Sequence, residues 1–166
     1  MNFHPLLVHF PIAFMTIYCL LELVRFKKIQ ALDYWFYIKA VLVIVGTAAA
    51  LPTMLAGKII AEQFYGPVLD IHSRFAIFTT IVFGIISLSY LIAWIEKDFY
   101  SYLRNRNFCL KLIKTNDVLH QSGTMVVLAL FGLALISITG ALGGIMAFGP
   151  EVDPFTKVIN ELFFGK

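Results

Sequence analysis

Four histidines carry most of the chemistry available to this chain of 166 residues: His4, His9, His72 and His120. Neutral imidazole is a ligand for iron, zinc and copper. His9 follows Pro5 by four residues and His72 follows Asp70 by two, each near the start of an apolar run. At about 1.5 Å per residue, those offsets are roughly 6 Å and 3 Å along a helix axis. If both helices start on the same side of a membrane, the two rings lie at similar depth. Facing each other in a bundle, they have the chemistry of axial ligands to a b-type haem (heme b). Arg74, two residues beyond His72, is placed to pair with a haem propionate. His4 sits nearer the mouth, as a hydrogen-bonding group, an alternative ligand or a helix cap. A divalent metal held by His4, His9 and His72 is chemically reasonable, but the spacing does not demand it. His120 is expected at the far side, away from the other three. The competing explanation is that histidines near helix ends sit at headgroup level, satisfied by water or a carbonyl.

Other chemistries lack their residues. No CxxC or CxxCH occurs, which excludes covalent c-type haem and a cysteine-based zinc site, and Cys19 and Cys109 are not expected to meet. No GxSxG, P-loop, HExxH or dinucleotide fingerprint appears. Glu22 is expected near the inner end of the first span, meeting Arg25 or interfacial water, while Glu62, Glu151 and Asp153 fall in outer loops and the tail. With no carboxylate pair deep in a span, a proton-relay transporter is poorly supported. No independent catalytic activity is expected.

The elements that must position the histidines follow from composition. Residues of the set AVILMFWYC make up 60% of the chain and charged residues 14%. A soluble domain is about half apolar and about a quarter charged, and one this small could not hide the excess. The chain is therefore read as an integral membrane protein, all-α, forming one four-helix bundle over 1–166. A hydrocarbon core needs about 20 apolar residues in a helix. Four stretches qualify, at about 5–24, 34–56, 71–95 and 118–148. The last is long enough that it must tilt, kink or project, and Gly140, Gly143 and Gly144 offer a place to bend. Tyr34, Trp35, Tyr37, Tyr90 and Trp94 mark interfaces. Asp70 is the expected N-cap of the third helix, and Asn116 or Asp117 that of the fourth. Pro11 and Pro52 lie inside spans, and each frees a carbonyl that a neighbour must satisfy. Gly46 with Ala50, and Gly132, Gly140 and Gly144, allow close helix packing. No repeat of 20–50 residues is evident.

Charge sets the direction. The net charge of +3 is too modest to indicate nucleic-acid binding. Nine basic residues (Arg25, Lys27, Lys28, Lys39, Lys97, Arg104, Arg106, Lys111, Lys114) oppose four (Lys58, Arg74, Lys157, Lys166) across the spans. That bias places the first and third loops in the cytoplasm and both termini outside. No positive residue precedes the first apolar run, so it is not read as a cleaved signal peptide.

The opening His4-Pro5-Leu6-Leu7-Val8-His9-Phe10-Pro11-Ile12-Ala13 resembles the start of the bacterial membrane-protein family called domain of unknown function 2231. That family is similar in its four spans, in a histidine opening the third (here His72) and in closing glycines (here Gly140 through Gly144, with Gly149). The tail Gly149-Pro150-Glu151-Val152-Asp153-Pro154 also looks alike. The resemblance implies a multi-pass protein of the bacterial inner (plasma) membrane. Some members look like dihaem cytochromes, with a further histidine among the closing glycines. Here that stretch has Ala141, Ala147 and Phe148, and no histidine follows His120, which leaves one outer pair, His9 and His72. Two functions are therefore expected as alternatives. One is electron transfer through b-type haem, with a quinol or an extracytoplasmic redox protein as partner. The other is a cofactor-free subunit or scaffold of an oligomer or larger complex.

Overall fold

The computed structural model describes residues 4–61, 66–103, 107–121 and 123–165, and among them only helices occur. In chain order these are α1 (His4–Glu22), α2 (Lys27–Gln30), α3 (Asp33–Ile60), α4 (Pro67–Leu103), α5 (Asn107–Gln121), α6 (Thr124–Phe148) and α7 (Pro154–Phe164). The segments Asp33–Ile60, Pro67–Asp98 and Thr124–Phe148 are long and apolar enough to cross a membrane, and α1 is a shorter apolar helix. Large apolar side chains such as Phe10, Leu20, Val45, Phe78, Leu88 and Phe131 point outward, as lipid contact requires. Glu62, Arg104, Arg106 and Lys166, used above for charge and loops, lie outside the described residues, as does the side chain of Cys109.

Helix ends depart from the sequence expectation in two places. The fourth apolar run does not start near Val118. Gly123 adopts a φ of 73°, ends α5 and lets α6 begin at Thr124. Asn116 is consequently no cap. It is buried inside α5 and donates Nδ2 to the Ser89 carbonyl at 3.0 Å, while the Ser89 hydroxyl donates to its Oδ1. At the other break, Asp70 falls in the first turn of α4, because Pro67 already opens that helix. The glycines of α6 leave it continuous.

The bundle is built twice from one plan. α1 packs chiefly on α3 and α4 on α6. The pairs then join through α3 with α4 and α1 with α6, which sets α1 and α4 diagonally. α3 carries Gly46, Thr53 and Gly57, and α6 carries Gly132, Thr139 and Gly143, both in the pattern G-x6-T-x3-G. His4 and Met15 on α1 have the spacing of His72 and Phe83 on α4. The contacts match as well. A Cβ on Gly46 would come 3.0 Å from Phe14 Cβ and 3.2 Å from Met15 Cγ, and one on Gly132 would come 2.9 Å from Phe83 Cζ. Buried residues pair off by the same alignment, Tyr18 with Ile86, Val43 with Ala129 and Ala50 with Ile136. Parallel repeats of this kind are common in membrane proteins.

Proline placement is answered locally. Pro11 has no N–H for the Leu7 carbonyl, and the Thr53 hydroxyl approaches that oxygen at 3.4 Å. The same hydroxyl lies 2.8 Å from the Ala49 carbonyl, so one proton serves two acceptors.

α7 closes one end. Its N-cap Asp153 accepts from the Thr156 amide at 2.9 Å and from the Thr156 hydroxyl. Ile159 packs on Ala141, Leu142 and Ile145 of α6, and Phe163 meets Phe75 edge-on at 5.4 Å. Phe155, Val158 and Leu162 remain exposed, the pattern of a helix lying in a membrane interface.

The glycine contacts make a prediction with its own control. Gly132→Ala must displace the fully buried Phe83 ring and should cost about 1–3 kcal/mol. Gly140 has open space at its Cβ position, so Gly140→Ala should leave stability unchanged or slightly raised. Thermal unfolding of the two variants in detergent checks this, and equal losses would refute it.

Candidate functional site: two anchored imidazoles

His4 and His72 are held in the same way. His4 Nδ1 lies 3.1 Å from the Thr53 carbonyl oxygen, and His72 Nδ1 lies 3.1 Å from that of Thr139. A carbonyl only accepts, so each Nδ1 carries the proton, and in a neutral ring the lone pair then sits on Nε2. A backbone carbonyl on one ring nitrogen is the usual support for a histidine that ligates a metal through the other. Each accepting carbonyl lies one helical turn before a glycine, and the ring rests over that glycine. A Cβ on Gly57 would come 3.0 Å from His4 Cε1, and one on Gly143 would come 3.5 Å from His72 Cε1. Both rings are half-buried and stand at the N-terminal ends of α1 and α4. The α4–α6 side is further fixed by hydroxyls: Thr79 and Thr139 meet at 3.0 Å, and each also bonds a carbonyl one turn back at 2.8 Å.

The remaining candidates lie elsewhere. His9 is exposed. It follows His4 by five residues, which places it about 140° around α1 from that ring. Arg74 is also exposed, about 200° around α4 from His72. His4 and His72 are thus alike in how they are anchored, whereas the sequence expectation pairs His9 with His72 on depth alone. His4 matches His72 in its spacing to Met15 and Phe83 and in the threonine carbonyl and glycine it meets. Among the described residues no group of three His, Cys, Asp or Glu side chains could hold a metal ion.

The opposite end holds a second polar cluster. The Glu22 carboxylate, 3% exposed, accepts from Lys39 Nζ at 2.8 Å and Tyr90 Oη at 2.6 Å, with Arg25 at 3.8 Å. The expected Arg25 contact is present, and Lys39 and Tyr90 add to it. His120 on α5 approaches Ser89 Oγ through Nε2 at 3.2 Å and stands edge-on to Tyr90. Burial pushes the His120 pKa below the usual histidine value.

A family described as "Predicted membrane protein (DUF2231)" matches residues 1–153, which leaves α7 beyond the match. No curated protein and no solved structure matches the chain.

The geometry fixes a tautomer. In protein without added ligand, 15N NMR of the histidine rings should show His4 and His72 protonated at Nδ1 and unprotonated at Nε2. Protons on Nε2 of both rings would contradict the carbonyl contacts.

Proposed function

The chain belongs to the DUF2231 family of predicted membrane proteins, and from that premise we propose that it is a four-span electron-transfer protein whose His4 and His72 bind one b-type haem. The observation that carries this reading is the pair of imidazoles anchored through Nδ1, one from each half of the fold. Their chemistry fits the group, since bis-imidazole iron needs two neutral rings presenting Nε2. The bound haem would supply reversible one-electron chemistry at its iron. The protein's share is orientation and basicity. The Thr53 and Thr139 carbonyls fix the two rings and raise the donor strength of the opposite nitrogens. Gly57 and Gly143 keep side chains away from the ring edges. Arg74 faces away from His72 around α4 and is given no part in holding the group. A quinol or extracytoplasmic redox protein would exchange electrons at the rim that carries His4 and His72.

The same reading takes α1 as a fourth span. Its 19 residues extend about 28 Å, close to the thickness of a hydrocarbon core. Arg25, Lys27, Lys28 and Lys39 cluster at the end where α1 stops and α3 starts. That end faces the cytoplasm of a bacterial inner membrane, with both termini outside.

A second reading is a cofactor-free subunit, favoured by the fact that the same two hydrogen bonds already tie α1 to α3 and α4 to α6. A reduced-minus-oxidised spectrum of protein produced with ample haem separates the two. We expect an α-band that His4→Ala and His72→Ala each abolish and His9→Ala retains, with circular dichroism showing all three variants folded. A colourless wild-type protein leaves the subunit reading. A band lost with His9→Ala alone returns the α1 ligand to His9.

A further inference from the structure

At the end of the bundle opposite His4 and His72 lies a cleft of about 290 Å³, lined by residues of α1, α3, α4 and α5 and of the connection through α2. We propose that this cleft binds the phosphate group of an anionic phospholipid. Three donors argue for such a ligand. Arg25 stands on its rim with its side chain 52% exposed, 3.8 Å from Glu22. Lys97 Nζ sits over the Phe36 and Tyr37 rings, at 5.5 Å and 4.7 Å, and has no carboxylate partner among the described residues. Trp35 also lines the cleft, and its buried indole N–H has no hydrogen-bond acceptor among the described residues. Guanidinium, ammonium and indole groups only donate, so the complementary ligand is one that only accepts.

Charge selects an anion. Arg25, Lys39 and Lys97 line the cleft against Glu22 and Asp33. Three cations against two carboxylates leave the lining with a net charge of +1. Asp98, which accepts from Tyr37 and Trp94, does not line the cleft. Phosphate oxygens suit this set, because Arg and Lys both bind phosphate through charge-assisted hydrogen bonds. Position selects a lipid. The cleft lies at the level of Tyr34, Trp35, Tyr37 and Trp94, ring types that gather at headgroup depth. Basic pockets between membrane helices are known to take anionic headgroups.

Native mass spectrometry of the full chain tests the proposal, using phosphatidylglycerol, phosphatidylcholine with the same acyl chains, and inorganic phosphate as probes. Phosphatidylglycerol should bind at least about tenfold more tightly than phosphatidylcholine, the equivalent of about 1.4 kcal/mol. Arg25→Gln and Lys97→Gln should each remove most of that preference without changing the melting temperature. Trp35→Phe, which deletes the N–H and keeps an aromatic ring, should weaken phosphatidylglycerol binding as well. Equal binding of the two lipids, or a preference untouched by all three substitutions, overturns the proposal. Inorganic phosphate binding as tightly as phosphatidylglycerol overturns the lipid assignment and leaves a free-anion site.

Discussion

One contact, made twice, organises this molecule: an imidazole N–H given to a helix carbonyl that lies one turn ahead of a glycine. The carbonyls of Thr53 and Thr139 already belong to helices, yet each accepts a ring as well. The ring can approach because the next turn has no Cβ in its way. Each contact ties the start of one helix to the end of its partner, α1 to α3 and α4 to α6. In lipid, where apolar packing gives helices little reason to choose one another, a hydrogen bond and close backbone approach are what remain. Deeper in the bundle, Met15 and Phe83 likewise approach Gly46 and Gly132, by packing alone and without a hydrogen bond.

The two ends of the bundle are thereby specialised. The end that carries His4 and His72 is rich in glycine and threonine, with α7 laid against its α6 side. The other end concentrates charge around Glu22, Lys39 and Tyr90 and is framed by aromatic rings. Glu22 and Tyr90 occupy equivalent places in the two halves and bond directly to each other, so the repeat meets itself there. The shared plan leaves a matching pair at one end, His4 and His72, and unlike residues at equivalent places at the other, the acid Glu22 and the phenol Tyr90.

Much of this was legible in the amino-acid sequence, and the limits have physical causes. Apolar composition gave the all-α membrane class, because hydrocarbon admits few backbone solutions. Three helices, α3, α4 and α6, are long and apolar enough to cross a membrane, and α1 is a shorter apolar helix. The break at Gly123 was not visible, since apolar residues continue on both sides and only the backbone angle reveals the stop. The choice between His4 and His9 was not visible either. Their depths differ by less than two turns, and direction around α1 depends on where α3 sits. The likeness of the two halves is faint in the sequence because few positions are shared and the connections differ, α2 in one half and α5 in the other. The spacing G-x6-T-x3-G in the second helix of each half was the available signal.

The account stands or falls on the meeting of two diagonal helices at one end. Cross-linking between introduced cysteines measures it directly, in a background where Cys19 and Cys109 are serine. Cysteines replacing His4 and His72 should be joined by a short bifunctional reagent, because residues that hold one haem between them stand too far apart at Cα for a direct disulfide, while cysteines replacing His9 and His72 should not. Cross-linking of the second pair in preference to the first would contradict the arrangement on which the site is built.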